Sequence, residues 1–319
     1  MKDSKYLVPI MLFIVLLLFP MIQYFTNQNY IIHLLLYAFF YIILTSSWNI
    51  IGGYGGFISL GHNAFLCIGA YVAGYCAVRY GISPFYLIGV SGLVAGIFGF
   101  IVGLITLRVR GPSFIISSIA LVMIMRIIFD HWDLVGGASG ITLPYNSLPV
   151  EWSKIPHYYS FLFLAIAAIY LNWYVRHSKF GLALRAVSHD ETRSAVAGID
   201  VKLIKVTAFA LSTFLIGSAG AVWADYLTYI RPNMFLIILI AANIVLMVIL
   251  GGKGTVSGPI VGTVIFILFN EIILSFFGAT ELNILLTGLL LVITLLYFPD
   301  GIVGSLKNKG IIPKFLDWG

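Results

Sequence analysis

Residues 85–107 read FYLIGVSGLVAGIFGFIVGLITL, a run of 23 residues without a charged side chain. The hydrocarbon core of a bilayer is about 30 Å thick, and a helix needs about 20 apolar residues to cross it. The stretch is therefore predicted to span a membrane as one α-helix. Its glycines are compatible with that prediction, because small residues let neighbouring membrane helices approach closely.

Nine further segments have the same character, and each is predicted to span the membrane. The ten segments are 6–25, 31–50, 57–78, 85–107, 113–129, 158–174, 206–230, 235–250, 258–277 and 282–298. They are too long and too uniformly apolar for the alternating strands of a membrane β-barrel. We expect an all-α, polytopic transmembrane bundle that forms a single domain over residues 1–319.

The composition excludes two other classes of protein. Hydrophobic residues make up 61% of the chain and charged residues only 9%, whereas soluble domains carry about 25% charged residues. A soluble globular domain is excluded, and so is a disordered chain, which needs low hydrophobicity and high charge. Cys67 and Cys76 lie in one apolar segment and are predicted to be buried thiols, not a disulfide framework or a zinc site.

The positive charges predict the orientation of the bundle, because Lys and Arg are enriched in cytoplasmic segments. With both termini cytoplasmic and ten alternating spans, the inside segments hold fourteen of the 18 Lys and Arg residues. The outside segments hold only Arg79, Lys154 and Arg231, and Arg126 lies within a span. We read the net charge of +6 as an orientation signal and expect no nucleic-acid partner.

Two connections between the predicted spans are long. Residues 130–157 are predicted to form an external loop, and residues 175–205 a basic cytoplasmic loop. Within the cytoplasmic loop, Ser188 and Glu191 fit a capping box, and Gly198 fits the left-handed residue that closes a helix. Residues 189–197 are therefore predicted to form a short capped helix, which serves either as a lid on the bundle or as a docking element for a partner.

The sequence lacks the patterns of the common catalytic and nucleotide-binding sites. It contains no phosphate-binding loop, no His-Glu-x-x-His pair and no nucleophile elbow, so we expect no enzyme, no catalytic residues, no metal site and no cofactor in this chain. Asp225 and Glu271 fall on different spans with no histidine beside either. Arg126 and Asp130 are predicted to form an i,i+4 ion pair.

Two glycine-rich segments show a weak internal sequence similarity. Residues 52–55 read GGYG and are followed by Ser59, while residues 251–254 read GGKG and are followed by Ser257. Both segments follow one predicted span and precede another. They indicate either a duplicated half, as in many transporters, or ordinary membrane turns.

Five stretches, in this order, carry a family resemblance. They are GGFISLGHNAF at 55–65, LRVRGPSF at 107–114, GGASGI at 136–141, the segment 178–198, and GGKGTVSGP at 251–259. Together they resemble the LivM-type permease subunits of ABC importers for branched-chain amino acids, over about residues 35 to 305. The departure is local: after Glu191 and Ala195, Gly198 stands one residue closer than in the family's pattern.

The resemblance implies a type II-like importer assembly in the bacterial inner membrane. Its partners would be a second, LivH-like permease subunit, two ATP-binding subunits that hold ATP and Mg²⁺, and an external solute-binding protein. Loop 175–205 would then carry the helix that couples ATP hydrolysis to transport. The candidate ATPase-coupling residues are Arg185, Ser188, Asp190, Glu191, Arg193, Ala195 and Gly198.

Polar residues within the spans are candidates for the translocation pathway, because they are costly where they face lipid. The candidates are Ser59, His62, Asn63, Asn243, Asn270 and Glu271. His62 is either a hydrogen-bonded anchor for its glycine-rich surroundings or a substrate contact, and Asn243 is either a bond between helices or a ligand. Glu271 is either a pathway residue or a carboxylate near the outer interface.

Three functions follow from these observations. The first is import of branched-chain or related neutral amino acids, driven by ATP hydrolysis in partner subunits. An ABC permease for urea or short amides is the nearest alternative. An ion-coupled secondary transporter that acts alone belongs to another class, and the few acidic residues within the spans argue against it.

Overall fold

The computed structural model describes residues 14–20, 29–144, 153–278, 282–298 and 300–308. Nearly all of these residues lie in helices, so the chain is a helical bundle as predicted. Parts of the predicted first span (6–25) and of the external loop (130–157) fall outside the described residues, as do both chain termini. Residues 14–20 are helical. The helices that follow, in chain order, are α1 (Asn29–Asn49), α2 (His62–Tyr80), α3 (Ile88–Thr106), α4 (Pro112–Asp130), α5 (Ile155–His177), α6 (Lys179–His189), α7 (Glu191–Val196), α8 (Val201–Leu227), α9 (Pro232–Phe235), α10 (Ile238–Gly251), α11 (Gly258–Phe277), α12 (Leu282–Tyr297) and α13 (Gly301–Asn308).

Seven helices of the described part of the chain are long and apolar enough to cross a membrane. They are Tyr30–Tyr54, which joins α1 to the π-helix that follows it, Pro84–Thr106, Pro112–Asp130, Ile155–His177, Val201–Leu227, Pro232–Gly251, which comprises α9 and α10, and Gly258–Phe276. Helix α2 is a further helix of 19 residues, most of which are buried in the bundle. The chain is therefore a multi-pass membrane protein.

Most of the basic side chains in the described part of the chain lie at one end of the bundle, which we call the basic end. Helix α3 ends there and α4 begins there, and α6, α7 and the start of α8 lie against them. At the opposite end, two short strands pair antiparallel: β1 (Ile141–Thr142) and β2 (Tyr229–Ile230). Gly140 precedes β1 with a φ of 77°, and a Cβ atom there would overlap the carbonyl oxygen of Ile230, which explains why the sequence has glycine here.

Helix α8 is the central element, because it packs against both α2 and α3. The contact with α2 depends on glycine: a Cβ atom on Gly69 would overlap the carbonyl group of Gly217, and one on Gly220 would overlap the carbonyl oxygen of Leu66. Where lipid surrounds a bundle, close backbone packing of this kind replaces the hydrophobic effect as the force between helices.

Replacing Gly69 by alanine is expected to destabilise the bundle by about 1–3 kcal/mol, the usual cost of overpacking a core. The added methyl group meets backbone atoms of α8, which cannot rotate away as a side chain could. The apparent melting temperature of the purified protein in detergent measures the effect. Gly89→Ala is the control, because a Cβ atom there meets nothing within 4 Å among the described residues; equal melting temperatures for the two variants would refute the close contact.

Two of the predicted spans are broken. A π-helix, Ile50–Tyr54, extends α1, and the chain then runs without helical structure to the start of α2 at His62. The predicted helix over 57–61 is therefore wrong. The indole Nε1 of Trp48 donates to the carbonyl of Ser59, and the Ser59 hydroxyl accepts from the amide of Gly61; these bonds compete with helix formation.

The second break falls at the start of the predicted span 235–250, whose remaining residues are helical as predicted. Helix α9 ends at Phe235, and α10 begins at Ile238. The interruption leaves the backbone carbonyl of Phe235 without a backbone partner among the described residues, and inside a membrane such a group needs a partner from a neighbouring element. A side chain of α2 supplies it, as described below.

Candidate functional site

The segment 178–198 consists of two capped helices, not the single helix predicted over 189–197. Ser178 caps α6 by accepting a hydrogen bond from the amide of Gly181 (3.1 Å), and Asp190 caps α7 by accepting from the amide of Arg193 (3.0 Å). Ser188 lies inside α6. The predicted capping box at Ser188 and Glu191 is thus wrong, because aspartate is at least as good a cap as serine and here stands at the bend between the helices.

The predicted closure of the second helix at Gly198 is confirmed. Gly198 has a φ of 84°, its amide donates to the carbonyl of Ala195, and the amide of Ile199 donates to the carbonyl of Ser194. These two bonds form a Schellman motif, which satisfies the last carbonyls of the helix. Helix α7 is therefore a short, rigid element with both ends closed.

Glu191 is the principal contact between α7 and the rest of the bundle. Its carboxylate oxygen Oε1 lies 2.6 Å from Nε of Arg110 and 2.7 Å from Nζ of Lys205. Arg110 belongs to the connection between α3 and α4, and Lys205 to the first turns of α8. One carboxylate therefore joins α7 to two other elements of the basic end.

Lys205 is the buried member of this cluster, with a side chain only 8% exposed. Its ammonium group also donates to the carbonyl of Leu107 at 2.8 Å and lies 5.3 Å from the centre of the Phe57 ring. Arg110 in turn donates to the carbonyl of Val187 in α6. Sequence reasoning selected Glu191 but missed Lys205 and Arg110, because their partners are distant along the chain.

The outer face of α7 is exposed. Arg193 is 90% exposed and pairs with Asp190 across one turn (3.2 Å), and Ala195 is exposed. Val196 is 86% exposed, and contact of this apolar side chain with water is unfavourable. Of the remaining predicted coupling residues, Arg185 and Ser188 lie on α6 and face a cavity of the basic end.

The two glycine-rich segments with internal similarity, 52–55 and 251–254, lie in contact with each other. Asn49, at the end of α1, accepts a hydrogen bond from the amide of Gly254 (2.8 Å) and donates to the carbonyl of Thr255 (2.9 Å). Arg176 donates to the carbonyl of Gly254. Below them, Asn172 of α5 accepts from the hydroxyl of Tyr54 and donates to the carbonyl of Ser46. Polar groups thus hold both turns in one layer at the basic end.

His62 and Asn63 start α2 in the interior of the bundle, and both are fully buried. Nε2 of His62 lies 2.9 Å from the hydroxyl of Ser212, which donates to the carbonyl of Ser47 (2.7 Å). Ser212 stands eleven residues into α8, about 16 Å from its start at 1.5 Å per residue. The contact between His62 and Ser212 therefore lies deep within the membrane-spanning part of the bundle.

Asn63 holds the second break. Its amide nitrogen Nδ2 donates to the carbonyl of Phe235 (3.1 Å), the last residue of α9, and to that of Ile237 (3.0 Å), the residue before α10. The other ends of these side chains, Nδ1 of His62 and Oδ1 of Asn63, are buried without a hydrogen-bond partner among the described residues. The predicted candidates Ser59, His62 and Asn63 are thus neighbours at one junction of two broken helices.

The remaining pathway candidates lie apart from this junction. Asn243 is half-buried on α10 and has no hydrogen-bond partner within the described ranges. Asn270 and Glu271 lie on α11, where Glu271 accepts a hydrogen bond from the hydroxyl of Tyr30 at the start of α1. The predicted pair of Arg126 and Asp130 is confirmed, at 3.7 Å.

The opposite end contains a buried contact between a histidine and an aspartate that sequence reasoning missed. Nε2 of His157 lies 3.0 Å from Oδ2 of Asp225, and both side chains are less than a tenth exposed. Nδ1 of His157 donates to the carbonyl of Ser153. The expectation that no histidine lies beside Asp225 is wrong in three dimensions, because 68 residues of chain separate the two partners.

Comparison with known proteins agrees with this architecture. The family model described as the permease component of a branched-chain amino acid transport system matches residues 30–295. The chain is 27% identical to the high-affinity branched-chain amino acid transport system permease protein LivM of Escherichia coli, over 82% of this chain and 67% of LivM. It is 23% identical to the corresponding LivH protein of the same organism, over 83% of this chain and 91% of LivH.

A more distant similarity extends to another permease. The ribose import permease protein RbsC of Haemophilus influenzae is 25% identical over 59% of this chain and 60% of RbsC. No solved structure matches the chain. Because the family model covers most of the sequence, the chain belongs to the family of branched-chain amino acid transport system permease components.

Proposed function

We propose that this chain is the LivM-type permease subunit of an ABC importer that carries branched-chain or related neutral amino acids across the bacterial inner membrane. The observation that carries the proposal is the contact between α7 and the bundle through Glu191, Arg110 and Lys205. A short capped helix with an exposed outer face and one fixed inner contact is suited to receive motion from a partner and pass it on as a rigid lever.

The proposal includes the orientation and the assembly. The basic end is cytoplasmic, in agreement with the positive-inside rule, and the chain crosses the membrane about ten times in a type II-like arrangement with both termini inside. A LivH-like second permease, two ATP-binding subunits with ATP and Mg²⁺, and an external solute-binding protein complete the importer. The similarity to both LivM and LivH supports a pair of permeases.

Transport would proceed by alternating access. Closure of the ATP-binding subunits would push α7, and Glu191 would pass that movement to α8 and to the α3–α4 connection. The junction of broken helices at His62 and Asn63 would then be the part of the pathway that rearranges, because interrupted helices have polar backbone available inside the membrane. Few fixed charges lie there, which suits neutral or zwitterionic solutes.

Reconstitution of the chain with its partners into liposomes tests the proposal. We expect leucine uptake only when the second permease, the ATP-binding subunits, the binding protein and ATP are all present, and no ATP hydrolysis by this chain alone. Uptake by the chain alone under an ion gradient would instead favour a secondary transporter, with Glu271 and Tyr30 as the first residues to examine. Preference for urea or short amides over leucine would shift the substrate class and leave the assembly unchanged.

A further inference from the structure

A cavity of about 310 Å³ lies at the basic end, where α3 ends and α8 begins. Its charged lining residues are three cations, Arg108, Lys202 and Lys205, and one carboxylate, Glu191. That carboxylate is already paired with Arg110 and Lys205. The cavity therefore has an excess of positive charge that no acidic lining residue balances.

Arg108 and Lys202 are the two lining cations that Glu191 does not use, and both are exposed. Nε of Arg108 donates to the carbonyl of Leu104 at 3.0 Å, which leaves the two terminal nitrogens of the guanidinium without a partner among the described residues. Lys202 forms no ion pair within the described ranges, whereas Lys205, three residues further along α8, does. Both cations are therefore available to an anion in this cavity.

The cavity lies beside the end of a surface that faces lipid. Helix α3 belongs to one of the segments that are long and apolar enough to cross a membrane. Its residues Ile97, Ile101 and Ile105 are exposed, and because they recur every four residues they lie on one face of the helix. An exposed apolar face of this kind marks contact with a membrane. Arg108 follows Ile105 by only three residues, so the cations stand where the apolar face ends.

The lining and its surroundings select one class of ligand. The volume is at the lower end of the range of small-molecule sites, so it can hold a lipid headgroup while the acyl chains lie outside, along α3. The other lining residues are glycine or aliphatic, and they offer an apolar surface beside the charges: Gly103, Leu104, Leu107, Val201 and Val206. An anionic phospholipid has a phosphate for the cations and chains for the apolar face, whereas a free phosphate lacks the chains and a choline headgroup carries a cation of its own.

We propose that this cavity binds the headgroup of an anionic phospholipid through Arg108 and Lys202, with the acyl chains along the exposed face of α3. Basic pockets between membrane helices bind anionic headgroups in this way. The inference needs only that the chain is a multi-pass membrane protein, and it goes beyond the proposed function. A headgroup held by both cations would bridge the α3–α4 connection and the start of α8, which are the two elements that Glu191 also joins.

Native mass spectrometry of the full chain in a neutral detergent, with added phosphatidylglycerol or phosphatidylcholine, tests the site. We expect the first phosphatidylglycerol to bind at least about tenfold more tightly than phosphatidylcholine, because each Lys or Arg beside an anionic lipid contributes about a factor of five. Lys202→Gln should weaken the binding of phosphatidylglycerol about fivefold, and Lys202→Arg should retain it. Lys179→Gln is the matched control, because Lys179 is an exposed cation on α6 that does not line the cavity. Equal weakening in Lys202→Gln and Lys179→Gln would show diffuse attraction and overturn the site.

A second measurement separates binding from folding. Phosphatidylglycerol should raise the apparent melting temperature of the wild type, since a ligand that binds the folded state stabilises it, and it should have little effect on the double variant Arg108→Gln/Lys202→Gln. Without lipid, the double variant should melt close to the wild type, because both side chains are exposed. An equal rise in both proteins would contradict the proposal.

The remaining outcomes concern the identity of the occupant. Glycerol 3-phosphate, which has the phosphate but no acyl chains, should compete weakly, and competition as effective as that of the lipid would overturn the lipid assignment. Equal affinity for phosphatidylglycerol and phosphatidylcholine, or a dimer of the chain that forms in place of the lipid-bound monomer, would overturn the proposal as well. None of these outcomes depends on uptake by the complete importer, which tests the proposed function separately.

Discussion

Glu191→Ala is expected to lower the uptake of branched-chain amino acids by at least about tenfold while the chain still inserts into the membrane. The change removes the carboxylate that contacts both Arg110 and Lys205. Lys205 is nearly buried, so the variant leaves a cation without its counter-ion, and breaking a buried pair from one side costs about 3–5 kcal/mol. Part of that cost will be relieved by water, since Glu191 and Arg110 are partly exposed.

The measurement is the initial rate of uptake by cells whose only branched-chain permease pair contains the variant. This rate is corrected for the amount of the variant in the membrane. Asp200→Asn is the matched control in the same loop. Its carboxylate caps α8 by accepting a hydrogen bond from the amide of Leu203 (3.0 Å), and asparagine caps a helix as well as aspartate does. We expect uptake by this control to stay within about twofold of the wild type. Similar uptake by both variants would argue against Glu191 as the link between α7 and the bundle.

His157→Ala is expected to be among the most destabilising single changes at the opposite end, at about 3–5 kcal/mol. The substitution leaves the Asp225 carboxylate buried in an apolar surrounding without its partner. It also removes the hydrogen bond to the carbonyl of Ser153 and a ring contact with Tyr226. The apparent melting temperature in detergent measures the loss.

A second substitution makes the prediction specific to the charge. In the His157→Ala background, Asp225→Asn should raise the melting temperature, because it removes the unpaired buried charge. Asp225→Asn alone should cost less than His157→Ala, since the amide can donate to Nε2 of a neutral imidazole. If the double variant were no more stable than His157→Ala, the loss would come from packing and not from the charge.

Most of the membrane-spanning architecture can be predicted from local sequence. The predicted spans 113–129 and 158–174 correspond to α4 and α5, which extend only a few residues further at each end. Such segments are predictable because a bilayer-length apolar run has one favourable solution, a helix that satisfies its own backbone. The closure at Gly198 and the pair of Arg126 and Asp130 are predictable for a similar reason, since both depend on residues within one turn.

The errors fall where a distant residue replaces a local hydrogen bond. The predicted helix over 57–61 is absent because Trp48 and Ser118 bond the backbone there. The predicted span 235–250 begins only at Ile238, and Asn63 of α2 donates to the carbonyls of Phe235 and Ile237 just before it. Neither effect leaves a pattern in the neighbouring sequence, since each partner belongs to another helix.

The sequence by itself therefore determined the class of the protein, most of its helices and the concentration of positive charge on loop 175–205, because hydropathy and charge act residue by residue. Only the tertiary structure decided which residues meet: Glu191 with Arg110 and Lys205, His157 with Asp225, and the two glycine-rich turns around one cavity. These contacts depend on how the helices pack, and in a membrane that packing is set by close approach of small residues such as Gly69 and Gly217. The hydrophobic pattern, which is nearly uniform along such helices, contains no information about it.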